Sequence, residues 1–492
     1  MRHAHGVYRA EQSRAIDARA IDDLGIPGIE LMRRAGRAAF AVLRERFPEA
    51  RRLLVVCGGG NNGGDGYVVA WEARAAGLAV ELVALSDPDG LSGEAAEACA
   101  AWVRSGAAIH DDEGFEARLA EADLVVDAVL GTGLDQDVRE DIAQRLDAIN
   151  AGPAPVLALD VPSGLNADTG QPMGCAVRAD ATVTFIVMKR GLLTGTAGDW
   201  TGPVVLADLD LPDAAFDDVE ADAEQLSSDC VSRWLPTRRP STHKGDLGHL
   251  LVVGGDHGMP GAPLLAARAA LETGSGLVSV ATRREHARSM AVGLPEVMWQ
   301  DGEDGERLAA LEGRADVVAL GPGLGRSDWS NAVWDRLIRG ERPLVLDADG
   351  LNRLADARLE RDDWILTPHP GEAARLLGVS PAEIQRDRFA AVRELAGRYR
   401  AVVVLKGFGT LVGAPDGRIA VCPFGTPAMA TAGMGDALTG IVASLRGQGL
   451  APFDAARAAV VLHARAAEAA AEGRRQVLAG RVIDHLHVVL PQ

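Results

Sequence analysis

The stretch from Leu53 to Gly77, LLVVCGGGNNGGDGYVVAWEARAAG, constrains the fold more than any other part of the chain. The apolar run Leu53 to Cys57 has the length and composition of a buried parallel strand. It gives way to Gly58, Gly59, Gly60, Asn61, Asn62, Gly63, Gly64 and Asp65, after which apolar residues return at helical spacing through Val68, Val69 and Trp71. The pattern predicts a strand, a glycine loop and a helix start. Glycines permit positive φ and let a ligand approach the backbone closely. A helix start offers unpaired N–H groups and the positive end of a dipole, which suits a phosphate or pyrophosphate. The loop lacks the Lys-Ser/Thr ending of a P-loop, and its spacing is not G-x-G-x-x-G. A turn that binds nothing is the plain alternative. Five glycines, two asparagines and an aspartate between 58 and 65 weigh against it.

The 492 residues suffice for two or three domains with large cores. A formal net charge of −19 argues against a nucleic-acid groove or an anionic membrane surface, both of which need basic patches. It leaves room for a dinucleotide held by backbone N–H groups. The cysteines, at 57, 99, 175, 230 and 422, are odd in number and form no C-x-x-C pair. That suits reduced thiols in a cytoplasmic protein with no zinc site. No signal-peptide core and no bilayer-length apolar run is present. Lysine occurs only at Lys189, Lys244 and Lys406, each followed within two residues by glycine. In an arginine-rich chain this context suggests ammonium groups that meet phosphate.

Strand-like runs at Val80–Leu85, Leu124–Val129, Val156–Val161 and Ala181–Val187 alternate with helical text, which predicts a doubly wound, mostly parallel sheet. The polar clusters at 58–65, 127–133, 160–163 and 189–191 all follow strands, where such sheets bind ligands. An acidic, weakly periodic stretch from Asp213 to Asp229 marks a boundary, expected to divide residues 1–222 from 223–492. A second α/β domain begins at His249-Leu-Leu-Val-Val-Gly-Gly. Its strand ends carry Gly321-Pro-Gly323-Leu-Gly325, Asp347-Ala-Asp349-Gly350-Leu-Asn352, Thr367-Pro-His369-Pro-Gly371-Glu372 and Lys406-Gly407-Phe408-Gly409-Thr410. Then comes Thr431-Ala-Gly433-Met-Gly435-Asp436, which opens an apolar helix. Glycines at a helix start make an anion hole, and an aspartate there can take a hydroxyl proton. The alternative for Asp436 is a capping carboxylate.

These motifs carry a resemblance. R-A-I-D, G-I-P-G-I-E-L-M-R-R-A-G, N-N-G-G-D, V-V-D-A-V-L-G-T-G, D-V-P-S-G and T-F-x-x-x-K-x-G resemble the NAD(P)H-hydrate epimerases. H-K-G-D-x-G, G-M-P-G-A, G-P-G-L-G, D-A-D-G-L-N, T-P-H-P-G-E, L-K-G and A-G-M-G-D resemble the ADP- or ATP-dependent NAD(P)H-hydrate dehydratases. In this order, over nearly the whole chain, they resemble fused bifunctional repair enzymes. The resemblance implies a Rossmann-like three-layer domain followed by a ribokinase-like one. It implies an epimerase that interconverts R and S hydrates of NADH and NADPH, and a dehydratase that phosphorylates the hydrate hydroxyl and eliminates it.

By this resemblance Asn61, Asn62, Gly63, Gly64 and Asp65, with Gly131, Thr132, Gly133, Leu134, Asp135, Gln136 and Asp137, line the epimerase substrate. Asp160 meets the ring as acid and base. Asn62, Asp127 and Ser163 hold potassium, a hard cation that takes oxygens. In the dehydratase, Ala262, Gly323, His369 and Asp436 contact the hydrate, with Asp436 as base. Lys406, Gly407, Phe408, Gly409, Thr410 and Gly435 hold ADP or ATP, with Mg2+. Without the resemblance, His369 between two prolines reads as a hydrogen-bonding loop residue. The loop Leu134-Asp135-Gln136-Asp137 is more acidic than the family pattern. A homo-oligomer is expected. A small-molecule kinase fused to a non-catalytic α/β binding module stays open, since A-G-M-G-D serves it equally. A first domain that acts only as a scaffold fits less well, because it needs neither N-N-G-G-D nor Asp127 and Asp160.

Overall fold

A computed structural model describes residues 5–235, 237–357 and 359–491. The chain forms two compact units that divide after Glu224. No helix among the described residues is long and apolar enough to cross a membrane.

The first unit is built on six parallel strands in the order Ala79–Ala84, Arg52–Cys57, Leu124–Ala128, Val156–Leu159, Ala181–Phe185, Val204–Ala207. Both faces are covered, as the unbroken apolar run Leu53 to Cys57 requires. Leu53, Val55 and Cys57 enter one core, while Leu54 and Val56 enter the other. Each fully buried side chain of this kind contributes about 1.5–3 kcal/mol. From Arg52–Cys57 the chain first winds to one side of the sheet and then crosses to the other. The reversal leaves a crevice beyond the carboxyl ends of Arg52–Cys57 and Leu124–Ala128, where ligands bind in such sheets.

The glycine loop is shorter than its text suggests. The helix spans Asn61–Ala75, so Asn61 to Asp65 belong to its first turns and only Gly58 to Gly60 form the loop. None of the five glycines from 58 to 64 has positive φ. Close approach explains three of them instead. A Cβ at Gly58 would lie 1.9 Å from the Val129 carbonyl oxygen, one at Gly63 2.0 Å from the Gly58 carbonyl oxygen, and one at Gly64 2.5 Å from Met32 Cε. The helix therefore lies against the strand ends with no side chain between. Trp71, expected on the apolar stripe, is 42 % exposed because this helix is buried mainly along its first half.

The second unit has parallel strands in the order Met298–Asp301, Leu277–Thr282, His249–Val253, Val317–Leu320, Leu344–Leu346, Ile365–Leu366, Val402–Leu405. An antiparallel pair, Thr410–Gly413 and Ile419–Cys422, extends it. This hairpin was not anticipated from the sequence. The order again reverses between His249–Val253 and Val317–Leu320. There a Cβ at Gly254 would lie 2.0 Å from the Pro322 carbonyl oxygen. Both units thus end their first sheet strand with a glycine pressed against the neighbouring strand end. The shared G-G text reflects that common constraint.

Candidate functional site

In the first unit a cleft of about 700 Å³ opens at the topological reversal. Gly58 to Asn62, Asp65, Gly131 to Asp137, Asp160 and Lys189 all line it. Four clusters distant in sequence therefore meet because each follows a strand of one sheet. Gly63 and Gly64 do not line the cleft; they pack behind it as described. The first helical hydrogen bond runs from Gly64 N–H to the Gly60 carbonyl, so the three amides before it have no partner within the helix. Gly131 comes close to two site residues. A Cβ there would stand 3.3 Å from Asn62 Cβ and 3.6 Å from Asp160 Oδ2.

Asp160 adopts φ 63°, an unusual left-handed geometry for a residue with a side chain. Its Oδ1 accepts from Lys189 Nζ at 2.5 Å, from Thr184 Oγ1 at 3.3 Å and from Phe185 N–H at 3.4 Å. Oδ2 remains on the Gly131 side. Lys189 is 1 % exposed and also donates to the Phe185 carbonyl at 2.6 Å. Three further carboxyls, Asp17, Asp65 and Glu94, line the same cleft. Burial, followed by the Asp160 and Asp17 charges, pushes Asp65 well above the usual carboxylate range. Burial and Glu94 raise Asp17.

Asn62, Asp127 and Ser163 gather around the Leu130 peptide. Asn62 Nδ2 donates to the Leu130 carbonyl at 3.0 Å, and Leu130 N–H donates to Ser163 Oγ at 2.8 Å. Ser163 Oγ and N–H donate to Asp127 at 2.5 and 2.8 Å. Burial lifts Asp127 to about 6, against hydrogen bonds from Ser163 and Val129 that lower it. Asn62 Oδ1 is buried with no hydrogen-bond partner. An orphaned amide oxygen beside a buried carboxylate and a hydroxyl is a donor set that fits a monovalent oxygen-seeking cation.

In the second unit the predicted residues also converge at strand ends. Lys406 Nζ donates to Asp347 Oδ1 at 2.9 Å and stands 3.7 Å from Glu372 Oε2. Thr439 Oγ1, from helix Met434–Gly447, donates to Asp347 Oδ2 at 2.8 Å. Burial works to raise Asp347, but Lys406 and the threonine hydroxyls outweigh it and hold the carboxyl below its ordinary range. A Cβ at Gly435 would lie 3.3 Å from Lys406 Nζ, which places this backbone beside the ammonium. Helix Met434–Gly447 begins at Gly433, φ 88°, and its first bond runs from Ala437 N–H to Gly433. Asp436 makes no capping hydrogen bond to this helix. Its carboxyl is raised to about 7 by burial first and by Asp347 second, with Lys406 opposing.

The remaining calls are met unevenly. Gly323 has φ 58° and lies against Met259 and Ala262, so Ala262 and Gly323 are neighbours. His369 is exposed, and its Nδ1 accepts from Gly371 N–H at 2.9 Å and Glu372 N–H at 3.3 Å. It therefore caps a helix, as a loop hydrogen-bonder would, while Nε2 stands 3.5 Å from Glu372 Oε1. Gly407 to Gly409 form the turn into Thr410–Gly413, with Phe408 52 % exposed and Thr410 Oγ1 donating to the Gly407 carbonyl at 2.9 Å. Of the three lysines, Lys189 and Lys406 sit in carboxylate pairs and Lys244 is exposed on a short 3₁₀ turn. Asp17, Lys189, Asp347, Glu372 and Thr439 join the sites without having been named as site residues. All but Thr439 stand inside the motifs quoted above, and the scarcity of lysine pointed to Lys189.

Comparison with known proteins agrees with this division. Residues 28–191 match the family model described as YjeF-related protein N-terminus, and residues 250–487 match the one described as NAD(P)H-hydrate dehydratase. A bifunctional NAD(P)H-hydrate repair enzyme of Escherichia coli is 46 % identical over 488 residues, covering 99 % of this chain and 94 % of the relative. The corresponding Coxiella burnetii enzyme is 45 % identical over 486 residues, covering 98 % of this chain and 99 % of the relative. Among solved structures, a ribokinase-like superfamily protein of Enterococcus faecalis shares the fold, with TM-score 0.52, 24 % identity and coverage of 55 % of this chain and 95 % of that one. A Streptococcus mutans protein of hypothetical function gives TM-score 0.50 at 29 % identity, over 54 % of this chain and 98 % of that one. With identity at this level over almost its full length, the chain belongs to the family of bifunctional NAD(P)H-hydrate repair enzymes.

Proposed function

We propose that this chain restores NADH and NADPH from their hydrates, with residues 1–222 interconverting the R and S epimers and residues 223–492 dehydrating the S form at the expense of ADP or ATP. The observation that carries the reading is Asp436. It is a carboxyl with no capping bond, raised to about 7, at a helix start beside Gly435 and the Lys406–Asp347 pair. That is the place for a base which takes the hydrate's hydroxyl proton while the oxygen attacks a terminal phosphoryl group. The amides of Met434 and Gly435 then meet the charge that develops on the phosphoryl oxygens. Lys406, Gly407, Phe408, Gly409 and Thr410 hold the nucleotide, while Ala262, Gly323 and His369 hold the hydrate. Loss of the phosphorylated oxygen restores the dihydronicotinamide ring. Among the described residues no group of three His, Cys, Asp or Glu forms a metal site. A Mg2+ ion here would ride on the phosphates and shield their charge.

In the first unit, Asn61 to Asp65 and Gly131 to Asp137 hold the dinucleotide and Asp160 works at the ring through Oδ2. Asn62, Asp127 and Ser163 hold a potassium ion, whose charge would organise the substrate's anionic groups. The five free cysteines support a cytoplasmic setting. A homo-oligomer forms part of the same reading.

The deciding assay follows dihydronicotinamide absorbance as an R and S hydrate mixture is given ADP, then ATP. Full recovery requires both activities, whereas S-hydrate dehydration alone leaves the R fraction behind. A kinase with a passive first domain would instead release a stable phosphorylated product and no inorganic phosphate. Potassium is tested with Asp127→Ala. The variant is expected to lose about 1–3 kcal/mol, because Ser163 N–H and Val129 N–H lose their buried acceptor. It is also expected to lose the melting-point difference between potassium and sodium buffers and most R-to-S conversion. Retention of that difference together with normal conversion removes Asp127 from the cation site.

A further inference from the structure

Asp17 stands in the first unit's cleft without a protein partner. Ser13, Arg14, Asp17 and Ile21 form the wall that helix Ala10–Asp22 contributes. Arg14 turns away to donate to the Thr132 carbonyl at 3.1 Å. Asp17 itself makes no hydrogen bond or ion pair among the described residues. The charged groups that face it are Glu94 from helix Gly93–Arg104, Lys189, and Asp160, with Asp65 from helix Asn61–Ala75 behind them. Lys189 is committed to Asp160 Oδ1 and the Phe185 carbonyl. Asp65 is 9 % exposed, lines the cleft, and likewise has no hydrogen-bond partner among the described residues. Burial and neighbouring carboxylates favour the protonated form of both Asp17 and Asp65. A carboxyl that faces an open cleft with no protein partner is free to exchange a proton with whatever binds there.

Epimerisation needs such a donor. The hydroxyl-bearing ring carbon is bonded to the ring nitrogen. A proton added to the hydroxyl lets the C–O bond break, with its electron pair leaving in water. The nitrogen lone pair then forms a C=N bond. A water attacks the other face of that carbon, a new C–O bond forms, the C=N pair returns to nitrogen, and a base takes the water's proton. One water leaves and one enters, with no oxidant or reductant. One group must hold a proton while another holds a negative charge, and the two exchange roles when the reaction runs backwards. Asp160, paired with Lys189, is equipped for the charged role. We propose that Asp17 is the second acid–base group of the epimerisation, serving the ring face that Asp160 does not. The inference rests on the epimerase reading above.

The test uses the full-length chain and separated R and S hydrates. Asp17→Asn is expected to slow interconversion in both directions by roughly 10²–10⁴-fold, the usual worth of a positioned general acid or base. The remaining rate is expected to lose one limb of its pH profile. S-hydrate dehydration and a melting curve report whether the protein is intact, and Asp17→Glu, which keeps the carboxyl, is expected to recover part of the rate and the missing limb. Interconversion within a few-fold of wild type in Asp17→Asn overturns the assignment. So does a loss that leaves both limbs in place or that Asp17→Glu fails to relieve. If the wild-type chain dehydrates the S hydrate but does not interconvert the epimers, the epimerase reading fails, and Asp17's part falls with it.

Discussion

Asp436→Asn is expected to lower S-hydrate turnover by roughly 10²–10⁴-fold with nucleotide in excess, the range for loss of a positioned base. Asn keeps the shape and caps a helix start about as well as Asp. A purely structural Asp436 would therefore tolerate the change. The wild-type rate is expected to rise with pH through about 7, because the base must first lose its proton. Stability follows the opposite sense. The folded-state carboxyl is raised above its unfolded value, so the folded form holds a proton that the unfolded form has lost between about pH 4 and 7. Stability contributed by this group is present below the unfolded pKa and is lost as pH rises through about 7. Asp436→Asn removes that penalty and is expected to melt higher than wild type at pH 8, with the difference fading towards pH 4. Near-normal turnover in such a stable variant would sink the assignment.

Lys189→Met is expected to have the largest effect on the first unit. The ammonium is 1 % exposed and holds Asp160 Oδ1 at 2.5 Å. Removing one partner of a buried pair leaves the other charge uncompensated, which costs about 3–5 kcal/mol. Both the melting of the first unit and R-to-S conversion are expected to fall, while S-hydrate dehydration in the second unit persists. Lys189→Met combined with Asp160→Asn is expected to regain much of the stability and none of the conversion, since a neutral pair has no charge to strand. If the double variant melts no higher than Lys189→Met alone, the pair is not what Lys189 contributes.

The alternation of strands and helices was legible because parallel strands buried on both faces read as short unbroken apolar runs, as in Leu53 to Cys57. The helix Phe115–Glu121 was not seen because seven residues give too few turns to show a period. The hairpin Thr410–Gly413 and Ile419–Cys422 was also not seen, although the equally short strand before Gly321 was. The glycine run was rightly singled out, but for a partly mistaken reason. Gly58, Gly63 and Gly64 answer a demand for space against Val129, Gly58 and Met32 and not a demand for positive φ, and Val129 and Met32 lie far off in the chain.

By itself the sequence determined where the reactive groups fall, because strand ends and helix starts are set by local pattern, and the family motifs place Asp160, Lys406 and Asp436 at those points. Only the tertiary structure decided what state those groups are in. Asp436 is raised to about 7 chiefly by burial, and Asp347 is held low against burial by Lys406 and threonine hydroxyls from separate elements. Likewise Lys189 meets Asp160, and Asp17 enters the cleft from a helix more than a hundred residues away from Asp160 in the chain. Charge state depends on solvent exclusion and on distances of a few ångströms between such remote residues. Neither quantity exists until the sheet has brought its strand ends together.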